Sequence, residues 1–310
     1  AGTVQRTHMG NATLAFAIFY MVINVGSVFG RLAGFFVRTK LGRLDTIFIV
    51  SMVAAVLAFL TVLLRYRDPE TAADPAKPQR SVGQILLGMV QVLGNGRFAM
   101  FLLVSSGFYF IYNQVYNVLP LYVKKTVELS PAMDLYTMAN PIVIVLFQLL
   151  ITKAFGGLKP IRSIVVGTVI IGLSMLINVA PLFMAGGVTA RVLLPVGSLF
   201  IILTVALIAF GELFASSRLY EYIGSLAPQG QEGLFLGYAN LPMAIGSLVG
   251  GPAGAWLFND VMCKGAVKQA DGLLKLDPHA AASGWLVLTA FGLGSALSLW
   301  FYNRWLERQR

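Results

Sequence analysis

The sequence predicts an all-α membrane protein with eight transmembrane helices, and two observations carry that prediction. Of 310 residues, 57% are hydrophobic and only 12% charged, with a mean hydropathy of +0.77, whereas soluble domains carry about 25% charged residues. Eight apolar runs are each long enough to cross a hydrocarbon core of about 30 Å, which takes roughly 20 helical residues. They lie near residues 12–37, 46–64, 98–123, 135–153, 161–183, 192–216, 233–258 and 284–303. The runs are continuously apolar, without the alternation of barrel strands, so helices are expected to satisfy their backbone groups.

The first and seventh spans share the pattern G-S-x-x-G-x-x-A-G, from Gly26 to Gly34 and from Gly246 to Gly254. Each copy is followed by one further span. The match reads as an internal repeat, or as two independent faces on which helix backbones approach closely. A repeat implies that the four spans between residues 98 and 216 have counterparts upstream of residue 1, so that these eight helices are the last eight of twelve. Between the second and third spans, the first half of residues 65–97 reads as a solvated, proline-bearing linker. In its second half, Val82 to Leu93 has apolar residues at helical spacing and predicts a short amphipathic helix at the membrane surface. The expected organisation is residues 1–66 as the last two helices of an N-terminal bundle, 67–97 as a cytoplasmic linker, and 98–310 as a C-terminal six-helix bundle.

A net charge of +10 arises from basic residues scattered through the loops, not clustered on a polar domain, so nucleic acid is not an expected partner. Lys and Arg are slightly more frequent on the side that holds both termini and the linker. That side is therefore assigned to the cytoplasm, with Arg38, Lys40 and Arg43 opposing the assignment. Residues 1–12 show no cleavable signal. The single cysteine, Cys263, excludes an internal disulfide and any multi-cysteine metal site. His8 and His279 are loop residues without a partner pattern, and no catalytic or nucleotide-binding motif is present. Gly292-Leu293-Gly294 lies within a span and reads as packing. No cofactor, metal or catalytic residue is expected.

Of the 13 acidic residues, Glu212 alone falls well inside an apolar run. A carboxyl group at that depth is costly unless it is protonated, paired or facing water, so it is a candidate proton carrier or a partner for a substrate cation. A structural, capping role is the alternative. The third span presents Tyr109, Tyr112, Asn113, Tyr116, Asn117 and Pro120 at spacings that place them on one helix face, with Gln114 beside it. That face reads as the lining of a pocket or as polar contact between helices. Arg31, inside the first span, must snorkel or pair, and an anionic ligand group would serve. Asn24 and Tyr20 extend the same helix inward. Asn140-Pro141 opens the fourth span with a freed carbonyl and a polar side chain, a common way to bend a helix beside a cavity.

Three segments resemble the major facilitator superfamily, and within it the proton-coupled oligopeptide transporters. Phe19-Tyr20-Met21-Val22-Ile23-Asn24-Val25-Gly26 is similar to that family's fifth-helix motif, and Asn140-Pro141-Ile142-Val143-Ile144 to its eighth-helix motif. Gly211-Glu212-Leu213 with Ala227-Pro228 is similar to its tenth-helix region. The resemblance implies that the spans are helices 5 to 12 of that fold. It also implies that Glu212 helps bind a peptide amino terminus and that Asn24 and Tyr20 face the central cavity.

The expected function is secondary active transport of a small polar solute, di- or tripeptide-like, by proton-coupled alternating access. Glu212, Asn24, Tyr20, Arg31, Tyr112, Asn113, Tyr116, Asn117 and Asn140 would bind the solute, and Glu212 would carry the proton. The alternative is a transporter-derived subunit that transports nothing and fills an interface in a larger membrane complex. The other expected partners are the lipid bilayer and either N-terminal helices beyond this sequence or another membrane subunit. The expected location is a bacterial inner membrane.

Overall fold

The computed structural model describes residues 11–42, 45–66, 82–228 and 231–308. The linker read over 67–81, together with His8 and Arg43, lies outside them. Eight helical segments among the described residues are long and apolar enough to span a membrane: Ala12–Leu41, Thr46–Arg65, Gly96–Val127, Met133–Phe155, Pro160–Leu182, Val196–Leu226, Glu232–Met262 and Pro278–Glu307. The protein is an all-α integral membrane protein.

The first span is α1 (Ala12–Phe36), which ends in a widened basic turn, Val37–Leu41, before Gly42 at a φ of 62°. That left-handed conformation suits glycine and stops the helix. The second span, α2 (Thr46–Arg65), has no buried residue and presents its apolar surface outward. A short helix, α3, occupies Val82–Leu93 as its periodicity predicts.

The third span is not one continuous helix. α4 (Gly96–Tyr112) gives way to a tight turn over Asn113–Val115, and α5 (Val118–Tyr122) restarts the span. Pro120 accounts for the break, because its ring collides with the carbonyl four residues earlier and it has no N–H to donate. Of the residues expected on one face, Tyr109, Tyr112 and Tyr116 stay in consecutive ring contact across the break, with centroids 6.3 and 6.1 Å apart, while Asn113 turns away to Ser247. Asn113 is buried, whereas Tyr116 is 49% exposed. The fourth span likewise begins before Asn140, as α6 (Met133–Thr137), and resumes after Met138 as α7 (Ala139–Phe155).

α8 (Pro160–Ser174) tightens over Met175–Leu182, and α9 (Val196–Leu226) runs unbroken for 31 residues. α10 (Glu232–Gly237) and α11 (Leu241–Trp256) form the seventh span. A two-stranded hairpin, β1 (Val267–Lys268) and β2 (Leu274–Lys275), precedes α12 (Pro278–Glu307), whose N-terminus is capped by the Asp277 carboxylate accepting from the Ala280 N–H at 2.8 Å.

The core lies among α4, α8, α9, α11 and α12, where glycines set the helix spacing. A Cβ on Gly211 would come within 2.6 Å of the Gly167 carbonyl oxygen, and one on Gly172 within 3.0 Å of the Gly292 backbone. α8 is thus in backbone contact with α9 on one side and α12 on the other. The second copy of the repeat works the same way: a Cβ on Gly246 would lie 2.7 Å from the Ser106 carbonyl oxygen of α4. Gly26, Gly30 and Gly34 of the first copy meet no described atom within 4 Å of such a Cβ.

A Gly211→Val substitution should lower thermal stability in detergent by about 1–3 kcal/mol, the usual cost of overpacking. Gly294→Ala, where the added carbon has open space, should leave it within error.

Candidate functional site

Glu212 sits near the middle of α9, ~24 Å along the helix from Val196 at 1.5 Å per residue, and is 2% exposed. Both carboxylate oxygens are engaged. Oε1 accepts from the Tyr20 hydroxyl of α1 at 2.6 Å and lies 3.5 Å from the Ser216 hydroxyl, while Oε2 accepts from Asn140 Nδ2 of α7 in a short contact. Three spans therefore meet at one carboxylate. An ionised carboxylate accepts only, and its neighbours here are all donors, so the site is satisfied with Glu212 ionised. Protonating Glu212 turns one acceptor into a donor, and a contact with Tyr20 or Asn140 must then rearrange.

Among the other predicted residues, Asn24 is buried, but its Nδ2 donates to the Tyr20 carbonyl oxygen of its own helix at 2.9 Å. It braces the turn that carries Tyr20. Arg31 is held by hydroxyl groups of two other spans. Its Nη1 donates to the Thr137 hydroxyl of α6 and its Nη2 to the Tyr116 hydroxyl at 3.1 Å. Tyr116 packs edge-on to Tyr112 with ring centroids 6.1 Å apart, so Arg31, Tyr116 and Tyr112 form one cluster. Asn113 faces away from that cluster, with its Nδ2 donating to the Ser247 hydroxyl of α11 at 2.7 Å. Gln114 donates to the Gly250 carbonyl oxygen at 3.2 Å. These two residues are polar contacts between helices, the alternative left open by the sequence. Asn117 is half-buried at the break between α4 and α5.

Sequence reading missed a second polar centre. Arg218, 5% exposed, pairs with Glu221 one turn later on α9 at 2.7 Å. Arg218 Nη1 also donates to the Thr13 hydroxyl of α1 at 2.9 Å, and Nη2 donates to the Phe155 and Gly156 carbonyl oxygens at the end of α7 at 3.2 and 2.6 Å. Thr13 in turn donates to Glu221 Oε1 at 2.7 Å. The i, i+3 spacing of Arg218 and Glu221 was the available signal. At the opposite end of α1, Arg38 pairs with Asp134 of α6 at 2.8 Å, with both side chains about one-third exposed. α1 runs antiparallel to α7 and α9, and polar groups join it to α9 at the Arg218 centre and at Glu212, where α7 also arrives, and to α6 at its other end.

This arrangement, a bundle of spanning helices with a buried carboxylate shared by three of them, defines a polytopic membrane protein with an intramembrane polar site. Residues 7–251 match the family model described as Major Facilitator Superfamily, and the chain belongs to that family. It is 23% identical over 291 residues to Multidrug resistance protein MdtH of Escherichia coli (strain K12 / DH10B), covering 93% of this chain and 63% of that relative. The same figures hold for MdtH of Shigella boydii serotype 18. The chain thus spans less than two-thirds of the length of these curated relatives. The fold is similar to that of a POT family transporter crystallised with a thioalcohol-conjugated peptide, with a TM-score of 0.66, 15% identity, and coverage of 94% of this chain and 69% of that one. It is also similar to a bacterial homologue of the human drug peptide transporters PepT1 and PepT2, with a TM-score of 0.63, 15% identity, and coverage of 100% and 74%. Family and fold mark a membrane transporter family, not an enzyme.

Removing one partner of the Arg218–Glu221 pair leaves an uncompensated buried charge. Arg218→Met should therefore lower thermal stability by about 3–5 kcal/mol, and the double variant Arg218→Met/Glu221→Leu should recover a large part of the loss. A melting series on the two single variants and the double variant reads this coupling directly.

Proposed function

We propose that this chain is the substrate-handling part of a secondary active transporter that moves a small polar solute by alternating access, coupled to protons through Glu212. The observation that carries the reading is the Tyr20–Glu212–Asn140 junction, in which one buried carboxylate holds α1 against α7 and α9. A carboxylate in that position can exchange its internal donors for a cationic solute group or for a proton, and either exchange loosens the contact between α1 and the other two helices. An amino group, as in a small peptide, suits the carboxylate, and the Arg31–Tyr116–Tyr112 cluster suits a carboxylate or aromatic group of the same solute. Peptide is favoured as the substrate class by the similarity to the peptide transporters. The multidrug relatives favour organic cations as the nearest alternative, because the same carboxylate serves both.

In this proposal α1 and α2 belong to one bundle and α4 to α12 to a second, joined through residues 67–97, and the second bundle rocks as a body. Support comes from the kinds of contact involved. Backbone-to-backbone glycine packing joins α8, α9 and α12, whereas hydrogen bonds that can exchange partners join α1 to α6, α7 and α9. The open glycine face of α1 would receive a helix of the same bundle from outside this sequence. The bacterial inner membrane, with both termini cytoplasmic, is the location that accompanies this reading.

Proton-driven uptake into proteoliposomes, measured on the full-length protein, tests the assignment. Glu212→Gln keeps the shape and removes the titrating group, so accumulation against a gradient should fall to background while solute-for-solute exchange persists. Unchanged proton-driven accumulation would contradict the role given to Glu212.

A further inference from the structure

We propose that the cleft between the C-terminal turn of α1 and the connection from α5 to α6 binds the phosphate headgroup of an anionic phospholipid, with Arg38 and Lys124 as its cationic ligands. The cleft encloses about 490 Å³. Its apolar wall includes Phe35, Pro120 and Met133, and its polar wall includes Arg38, Lys124 and Ser130. Three spans contribute, and all three contribute near the same end: the last turn of Ala12–Leu41, the end of Gly96–Val127 and the start of Met133–Phe155. The cleft therefore lies at the level where headgroup meets acyl chain.

Charge and shape both select the ligand. Lys124 is exposed, and Arg38 commits its Nη2 to Asp134, while a guanidinium has further donors to offer. Lys40 and Lys125 lie on the same two basic turns and add to the local positive field. Two of the three spans end at the cleft with partial negative charge and the third begins only with the short α6, so anion binding here has to come chiefly from these side chains. A free phosphate ion would gain nothing from Phe35, Pro120 or Met133, whereas a phospholipid uses both walls at once. A bound headgroup also competes with Asp134 for Arg38, so it would weaken the contact of α1 with α6. None of this depends on which solute the protein handles, or on transport itself.

Photolabelling in nanodiscs tests the site. The chain is placed in phosphatidylcholine nanodiscs doped with phosphatidylglycerol that carries a diazirine on its acyl chain, and labelled peptides are mapped by mass spectrometry. Label is expected on the peptides holding Phe35 and Met133. Lys124→Gln should reduce it about fivefold and Lys124→Glu further, as the loss of roughly one basic contact at a membrane surface predicts. Label on α2 and α12 should stay constant and serves as the control for folding. Unlabelled phosphatidylglycerol should compete, and millimolar inorganic phosphate should not. Cleft labelling that is unchanged in both variants would overturn the site, and displacement by inorganic phosphate would overturn the lipid as its ligand.

Discussion

A carboxylate that cannot reach water has to be given partners, and at Glu212 those partners come from two other helices. The hydroxyl of Tyr20 and the amide of Asn140 reach it from α1 and α7, which fixes how far along α9 each of those helices can lie. Much of the surrounding geometry follows from this. Asn24 braces the turn that carries Tyr20. The proline following Asn140 cannot donate a hydrogen bond, and α6 stops short of α7 just before it. Arg31 then finds the Thr137 hydroxyl at the end of α6.

Two chemistries of helix contact divide the molecule. Where Gly167 meets Gly211, Gly172 meets Gly292 and Gly246 meets α4, backbones touch and no side chain can be inserted without moving a helix. Such contacts have one good arrangement. Along α1, packing of Phe16 and Phe19 against Tyr220 is joined by hydrogen bonds and ion pairs, graded from the buried Arg218–Glu221–Thr13 centre through Glu212 to the Arg38–Asp134 pair, about one-third exposed. These polar groups can exchange partners with water or a solute, and the carboxylates among them can also take a proton. A rigid body joined to a neighbour by exchangeable polar contacts is the mechanical condition for rocking about a site.

Much of this was legible in the sequence. Composition and the eight apolar runs gave the class and the spans, because hydrophobic length is a direct reading of bilayer thickness. Glu212 was legible because a lone carboxyl in an apolar run has few reasons to be there, and Tyr20 and Asn140 bond to it with Asn24 beside them. The third span was misread at Asn113, where the helix tightens ahead of Pro120. Tyr109, Tyr112 and Tyr116 keep ring contact through the break, whereas Asn113 turns to α11. The Arg218–Glu221–Thr13 centre was missed for a different reason. Near the end of a span, an arginine and a glutamate look like surface charges, and only the arrival of α1 and the end of α7 makes them buried. The glycine pattern could be read as a packing face, but which helix packs on it is a tertiary fact: Gly246 of the second copy meets α4, whereas a Cβ on Gly26, Gly30 or Gly34 of the first would meet no described atom within 4 Å.

The central claim is that α1 moves against α7 and α9 about Glu212. Double electron–electron resonance measures this in a Cys263→Ser background, with one spin-label pair at Leu14 and Ser225 near the Arg218 centre and another at Leu41 and Leu129 near Asp134. All four positions are exposed in this conformation. Each pair should give two distances, and lowering the pH or replacing Glu212 with Gln should lengthen one pair while shortening the other. A single, unchanging distance at both ends under all conditions would contradict the account.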